Sequence, residues 1–202
     1  MQTNPLAKRI LNFWLGDLKV GKDATSKKEL WWGKNPSVDE YITTNFKESY
    51  YAALEGKYDG WKKSPQESLA FIILLDQFSR HIFRNSPQAF SADEIAVAWA
   101  VNGMEMGHDK KLLNIFDRAF FYMPLEHSEN ITHQKQSVEV FLELYKNCSG
   151  EQLDTLKIYY DCAIQHHDII EQFSRFPHRN KSLKRESTEA ELLFLSQPGS
   201  SF

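Results

Sequence analysis

Cysteine is scarce: Cys148 and Cys162 are the only two in 202 residues. Two thiols make neither a disulfide framework nor a zinc-finger spacing, so both are expected reduced and packed. No apolar run approaches the roughly 18 residues of a spanning helix, and Met1 to Leu6 lacks the basic region, apolar run and cleavage site of an export signal. A cytoplasmic chain without a membrane partner is the expectation. Positive charge is not in surplus either. Lys and Arg number 24 against 27 Asp and Glu, a net charge of −3, which gives nucleic acid no general attraction. The nine glycines are scattered. They form no phosphate-cradling loop or dinucleotide fingerprint, Gly-x-Ser-x-Gly is absent, and no cofactor or covalent nucleophile is expected. No stretch alternates at period two up to an Asn-Gly or Asp-Gly turn, so a sheet has no support.

What is present points to helices. Ser or Thr followed by Glu or Gln three residues later, the pattern of a capping box, begins at Ser37, Ser64, Ser91, Ser149 and Thr188. Val38, Tyr41, Ile42, Phe46, Tyr50 and Leu54 recur at three- and four-residue intervals, as do Leu153, Leu156, Tyr160, Ala163, Ile164 and Phe173. The patterns predict helices near 4–16, 25–32, 37–55, 64–84, 91–106, 110–122, 129–147, 150–175 and 188–196, with breaks that include Gly107, Pro124 and Pro177. The fold class is therefore all-α, with about eight to nine helices and short connections that favour antiparallel hairpins. The length suits one domain over residues 1–202, ordered from about 4 to 196 with a loose tail from Ser196 to Phe202. With aromatics at 13%, the core should be rich in rings.

The helix from Ser64 is apolar on two opposite sides, which marks it as buried. Asp76 and Arg80 stand four apart on its second side, where an unpaired charge is very costly, so they must pair or face a polar cavity. A structural ion pair and a pocket wall are both consistent with this spacing. In the pocket reading Arg84, one turn on, adds a second guanidinium pointing the same way, suited to a carboxylate or phosphate. The segment Asp76–Asn85 is echoed at Glu171–Asn180 with six identities in ten positions, which suggests two equivalent structural positions.

The later helix carries Leu153, Tyr160, Ile164, His167, Glu171 and Arg175 on one stripe, apolar turning polar, and Pro177 stops it before His178 and Arg179. His166, on the other side with Tyr159, Ile170 and Phe173, reads as a core histidine. A third cluster places Glu126 and His127 in the connection after Pro124, ahead of a helical face bearing Glu129, His133 and Gln136. A carboxylate beside an imidazole suits general acid–base work, and acids in the first turn of a helix suit the dipole equally well. No His-Glu-x-x-His or paired Glu-x-x-His spacing occurs; the sole Glu-x-x-His, Glu105 to His108, crosses Gly107, and no metal site is expected.

The strings Leu75–Arg84, Tyr122–Glu129 and Phe173–Asn180, with the opening Phe13–Gly16 and the closing Arg185–Glu189, resemble the bacterial family called domain of unknown function 924, over about residues 6–196. The resemblance implies a tetratricopeptide-like right-handed array of helix pairs with no established activity. One departure is Ser182-Leu183-Lys184 before Arg185, where the family pattern carries Gly.

Together these readings predict a concave polar pocket. Glu126, His127 and Glu129 are the candidate catalytic residues, and Asp76, Arg80, Arg84, His133, Arg175, His178 and Arg179 the candidate binding residues. A small anionic metabolite or peptide carboxylate is the favoured partner. The alternatives are a hydrolase or lyase using a His/Glu pair, and a scaffold whose polar cluster only locks helix packing.

Overall fold

A computed structural model describes residues 3–16, 18 and 22–200. Met1, Gln2 and the last two residues of the expected tail lie outside the described residues. Among those described there is no strand. The helices number eleven rather than eight or nine: α1 Pro5–Trp14, α2 Lys28–Trp32, α3 Pro36–Leu54, α4, α5 Asp93–Glu105, α6 His108–Lys111, α7 Ile115–His127, α8 Ile131–Asn147, α9 Leu153–Phe173, α10 Asn180–Leu183 and α11 Glu189–Leu195. Helix α4 runs Pro65–Ile72, passes through a π-helical turn at Ile73–Gln77 and continues as Phe78–Ile82. The surplus comes from α6 and α10, single turns too short to show a periodicity.

Burial organises these helices around α4. Every residue from Ser68 to Ser79 is buried, as its two apolar sides require, and it packs against α1, α3, α5 and α7. The core is ring-rich: Trp14, Phe46, Tyr50, Phe71, Phe78, Phe116, Phe120, Phe121 and Phe141 are among its largest fully buried side chains. Helices α7, α8 and α9 pack each against the next. A satellite cluster of Ile169, Ile170 and Phe176, with Phe173 and Phe194 against it, ties α11 to the end of α9.

Several local expectations change. Thr188 and Glu191 form a complete capping box. Ser64 accepts from the Glu67 amide, but the Glu67 carboxylate turns to the Asn4 amide instead. Elsewhere Asn35, with Pro36 at the first position, caps α3, and Asn130 caps α8. Pro124 does not break α7, which continues through it to His127. Losing one backbone bond costs about 3 kcal/mol or more, and burial of Tyr122, Met123, Pro124, Leu125 and Glu126 in the same turn offsets it. The buried face of α9 is Leu156, Tyr159, Ala163, His166, Ile169 and Ile170, not the Leu153–Arg175 stripe; Leu153 and Glu171 are exposed. The internal echo is not a structural equivalence either. Ser79 is helical inside α4, whereas Ser174 ends α9 in the left-handed region at φ +58°.

Candidate functional site

Asp76 lies in the π turn of α4 and is wholly shielded from solvent. Its carboxylate is fully engaged. Oδ1 is 2.7 Å from His127 Nδ1, Oδ2 accepts from Gln77 Nε2 at 2.6 Å, and Arg80 Nη1 stands 3.5 Å from Oδ1. Burial alone would lift the Asp76 pKa; Arg80 and His127 reverse that and hold it far below the usual carboxylate range. Arg80 also donates to the Asp76 carbonyl and grips Asp93 of α5 in a two-pronged pair, both bonds 3.1 Å.

From Asp93 the chain of charges continues to Arg179, whose Nη1 is 3.3 Å from Asp93 Oδ2. Arg179 is 6% exposed and stacks between Phe90 and Phe176, 4.7 and 4.5 Å from the ring centres. Its buried Nε has no hydrogen-bond partner, and burial draws its pKa down to about 10. A guanidinium held against two rings with a donor unused has bonding capacity beyond Asp93.

These groups close one side of a hollow of about 310 Å³. Phe90, Val97 and Leu183 supply apolar wall, and Ser91, Asp93, His127, Ser128, Glu129 and Arg179 supply polar wall. Carboxylates outnumber guanidiniums around it: Asp76, Asp93, Glu94 and Glu129 against Arg80, Arg179 and Arg185. His127 fixes Nδ1 on Asp76 and has no hydrogen-bond partner at Nε2 among the described residues. Burial lowers its pKa while Asp76 works to raise it. With Nδ1–H directed at that carboxylate, the neutral ring presents the Nε2 lone pair as an acceptor at the hollow.

Glu126 and His127 sit in the last turn of α7 rather than in a connection. Glu126 is buried and does not line the hollow, its Oε1 3.5 Å from His166 Nδ1; burial, and then Asp76, push its pKa up to about 8. His166 is indeed a core residue, driven down to about 3 chiefly by burial. Glu129 precedes α8 instead of riding on it. It accepts from the Phe176 amide at 2.8 Å and pairs with Arg185 at 2.7 and 2.9 Å, so it is a tether for the 176–185 segment.

Two expected arginines go elsewhere. Arg84 lies past the end of α4 and grips Asp39 of α3 at 2.6 and 2.7 Å, joined there by His81 at 2.8 Å. Arg175 pairs with Glu191 of α11 at 2.6 and 2.8 Å. His133 is 2.9 Å from the Ser128 hydroxyl, one step behind the wall. His178 precedes the wall residue Arg179 but is not itself in the wall; it packs 5.5 Å from the Phe176 ring, and its pKa is brought to about 4 by burial and then Arg179. Of the expected residues the structure thus brings His127, Glu129 and Arg179 to the hollow, with Asp76 and Arg80 joined to its wall through His127 and Asp93.

Sequence reasoning missed Asp93, Arg185, Asp39 and Phe90. Asp93 was legible only as a helix-start acid, and nothing local marks it as the counterion of two buried arginines. His167, Asp168 and Glu171 bring ligand atoms within 4.8 Å of one another on α9, but the two acids are exposed and exposed acids gather so without an ion.

The family described as "Bacterial protein of unknown function (DUF924)" matches residues 10–199. The chain belongs to DUF924. Among solved structures, the protein of unknown function ATU0120 from Agrobacterium tumefaciens is similar: 32% identical, TM-score 0.80, covering 95% of this chain and 97% of that one. No curated protein matches. In this DUF924 chain the strings that carry the resemblance hold His127, Glu129 and Arg179 of the hollow's wall, and Asp76 with Arg80, which bond to that wall. The departure before Arg185 also has a structural meaning: Lys184 sits at φ +55°, a conformation glycine adopts without strain.

Proposed function

We propose that the hollow is an active site in which His127, held by Asp76, moves a proton on a small substrate whose anionic group docks on Arg179. The observation that carries this is the 2.7 Å contact between a fully buried Asp76 carboxylate and His127 Nδ1. A carboxylate so placed fixes the imidazole tautomer and stabilises the imidazolium formed when Nε2 takes a proton. The reaction class that fits is hydrolysis or elimination: Nε2 withdraws a proton from water, or from carbon beside a carboxylate, and returns it to the leaving group. Asp76, rather than Glu126 or Glu129, is the carboxylate of the pair.

The pure binding reading narrows in the same way. Arg84 and Arg175 are engaged away from the hollow and Arg80 is held by Asp76 and Asp93; Arg179, which keeps one bond to Asp93 and lines the hollow, is the guanidinium with which a metabolite or peptide carboxylate would pair. The tetratricopeptide-like arrangement, the single domain and the cytoplasmic setting belong to this proposal too; the succession of α7, α8 and α9, each packed on the next, supports the first.

The test is a thermal-shift screen of carboxylated and phosphorylated metabolites on the full chain, followed by incubation of each hit with wild type and His127→Gln. A ligand at a hundred times its Kd adds about 2.7 kcal/mol of stability. Hits should stabilise both proteins, stabilise Arg179→Lys less, and be converted about 10²–10⁴-fold more slowly by His127→Gln. Hits without conversion leave a binding protein. No hit at all, with Asp76→Asn merely unstable, leaves a scaffold.

A further inference from the structure

A second hollow, of about 270 Å³, opens on another face between α1, the start of α4 and the start of α7, lined by Leu11, Leu15, Leu69 and Leu112 with Asn12 and Asp117 among its polar groups. Asp117 makes no hydrogen bond or ion pair among the described residues, whereas Asp23, Asp39, Asp76, Asp93 and Asp109 each hold at least one. We infer that this hollow binds a short aliphatic primary amine, the ammonium on Asp117 and the alkyl chain along the leucines.

Three considerations converge on that ligand. Asp117 is in the first turn of α7, where the helix dipole favours an ionised carboxylate. Burial nevertheless raises its pKa to about 6, with no neighbouring charge contributing, so the protein itself leaves the group uncompensated. A cation is what would restore it, and an ammonium supplies three donors. The leucines give a short methylene chain a place out of water. At about 30 Å³ per water the hollow holds roughly nine waters, which suits a few heavy atoms and not a nucleotide.

The experiment is saturation-transfer NMR on the full chain with n-butylamine, n-butanol and butyrate, run on wild type, Asp117→Asn and His127→Gln. Binding of n-butylamine by wild type and His127→Gln, with at least about tenfold weakening in Asp117→Asn, is expected. Asp117→Asn stability no lower than that of wild type in the absence of amine certifies that its fold is intact. No n-butylamine binding, equal binding by Asp117→Asn, or n-butanol binding as well as the amine would overturn the inference. The His127 arm keeps this result separate from the fate of the proposed active site.

Discussion

Two residues carry conformational or ionisation costs that single substitutions can read. Glu126 has a folded pKa of about 8 against roughly 4.3 in an unfolded chain. A raised carboxyl binds more protons when folded, so its contribution is fully present below about pH 4.3 and is lost as pH rises through about 8. Glu126→Gln should therefore match wild type at about pH 4 and exceed it increasingly at about pH 6 and 8 in urea denaturation; parallel curves would refute the assignment. Lys184, in the left-handed region, costs about 1–2 kcal/mol there, and glycine gives back part of that as unfolded-state entropy. Lys184→Gly should raise stability by up to about 1 kcal/mol, visible as a higher Tm. Asp76 and Arg80 were legible at this scale because charges on an otherwise apolar helix advertise themselves. Asp93, Asp39 and Arg185 were not, because each looks locally like an ordinary solvated helix-end charge and acquires its role from a partner 13 to 56 residues away.

At the scale of elements, periodicity found every helix of five residues or more, and failed where the backbone departs from 3.6 residues per turn. The π turn at Ile73–Gln77 inserts an extra residue, so positions counted along α4 from Ser64 drift; the helix then ends at Ile82, and Arg84 beyond it falls beside Asp39 instead of one turn past Arg80. Proline misled in α7 because the break rule ignores what the surrounding turn buries. Packing between elements is also set by what a residue omits. Gly103 lets α5 approach α7: a Cβ there would lie 2.4 Å from Phe121 Cζ, and that ring is fully buried. Gly103→Ala gains helix propensity of about 1 kcal/mol yet overpacks a rigid contact, so a net loss of roughly 1–3 kcal/mol is expected. Chemical denaturation measures it, and a stabilised variant would mean that Phe121 swings aside freely.

Across the molecule, alternating charges stitch elements distant in sequence: Asp76 on α4, Asp93 on α5, Arg179 and Arg185 after α9, Glu129 before α8. The hollow exists because the segment after α9 is drawn back over α5 and α7, and two contacts draw it, Arg179 on Asp93 and Arg185 on Glu129 with the Phe176 carbonyl. Removing the second should loosen that segment without unfolding α4, whose burial does not depend on it. Hydrogen exchange on Arg185→Met should show amides of residues 176–195 exchanging about tenfold faster or more, with those of residues 68–79 unchanged. Asp93→Asn is the opposite case: it leaves Arg80 and Arg179 short of a counterion and should cost about 3–5 kcal/mol globally, with protection falling in both regions together. If Arg185→Met also lowered protection across 68–79, the wall of the hollow and the core would be one cooperative unit, and the site could not open to a substrate without the fold giving way.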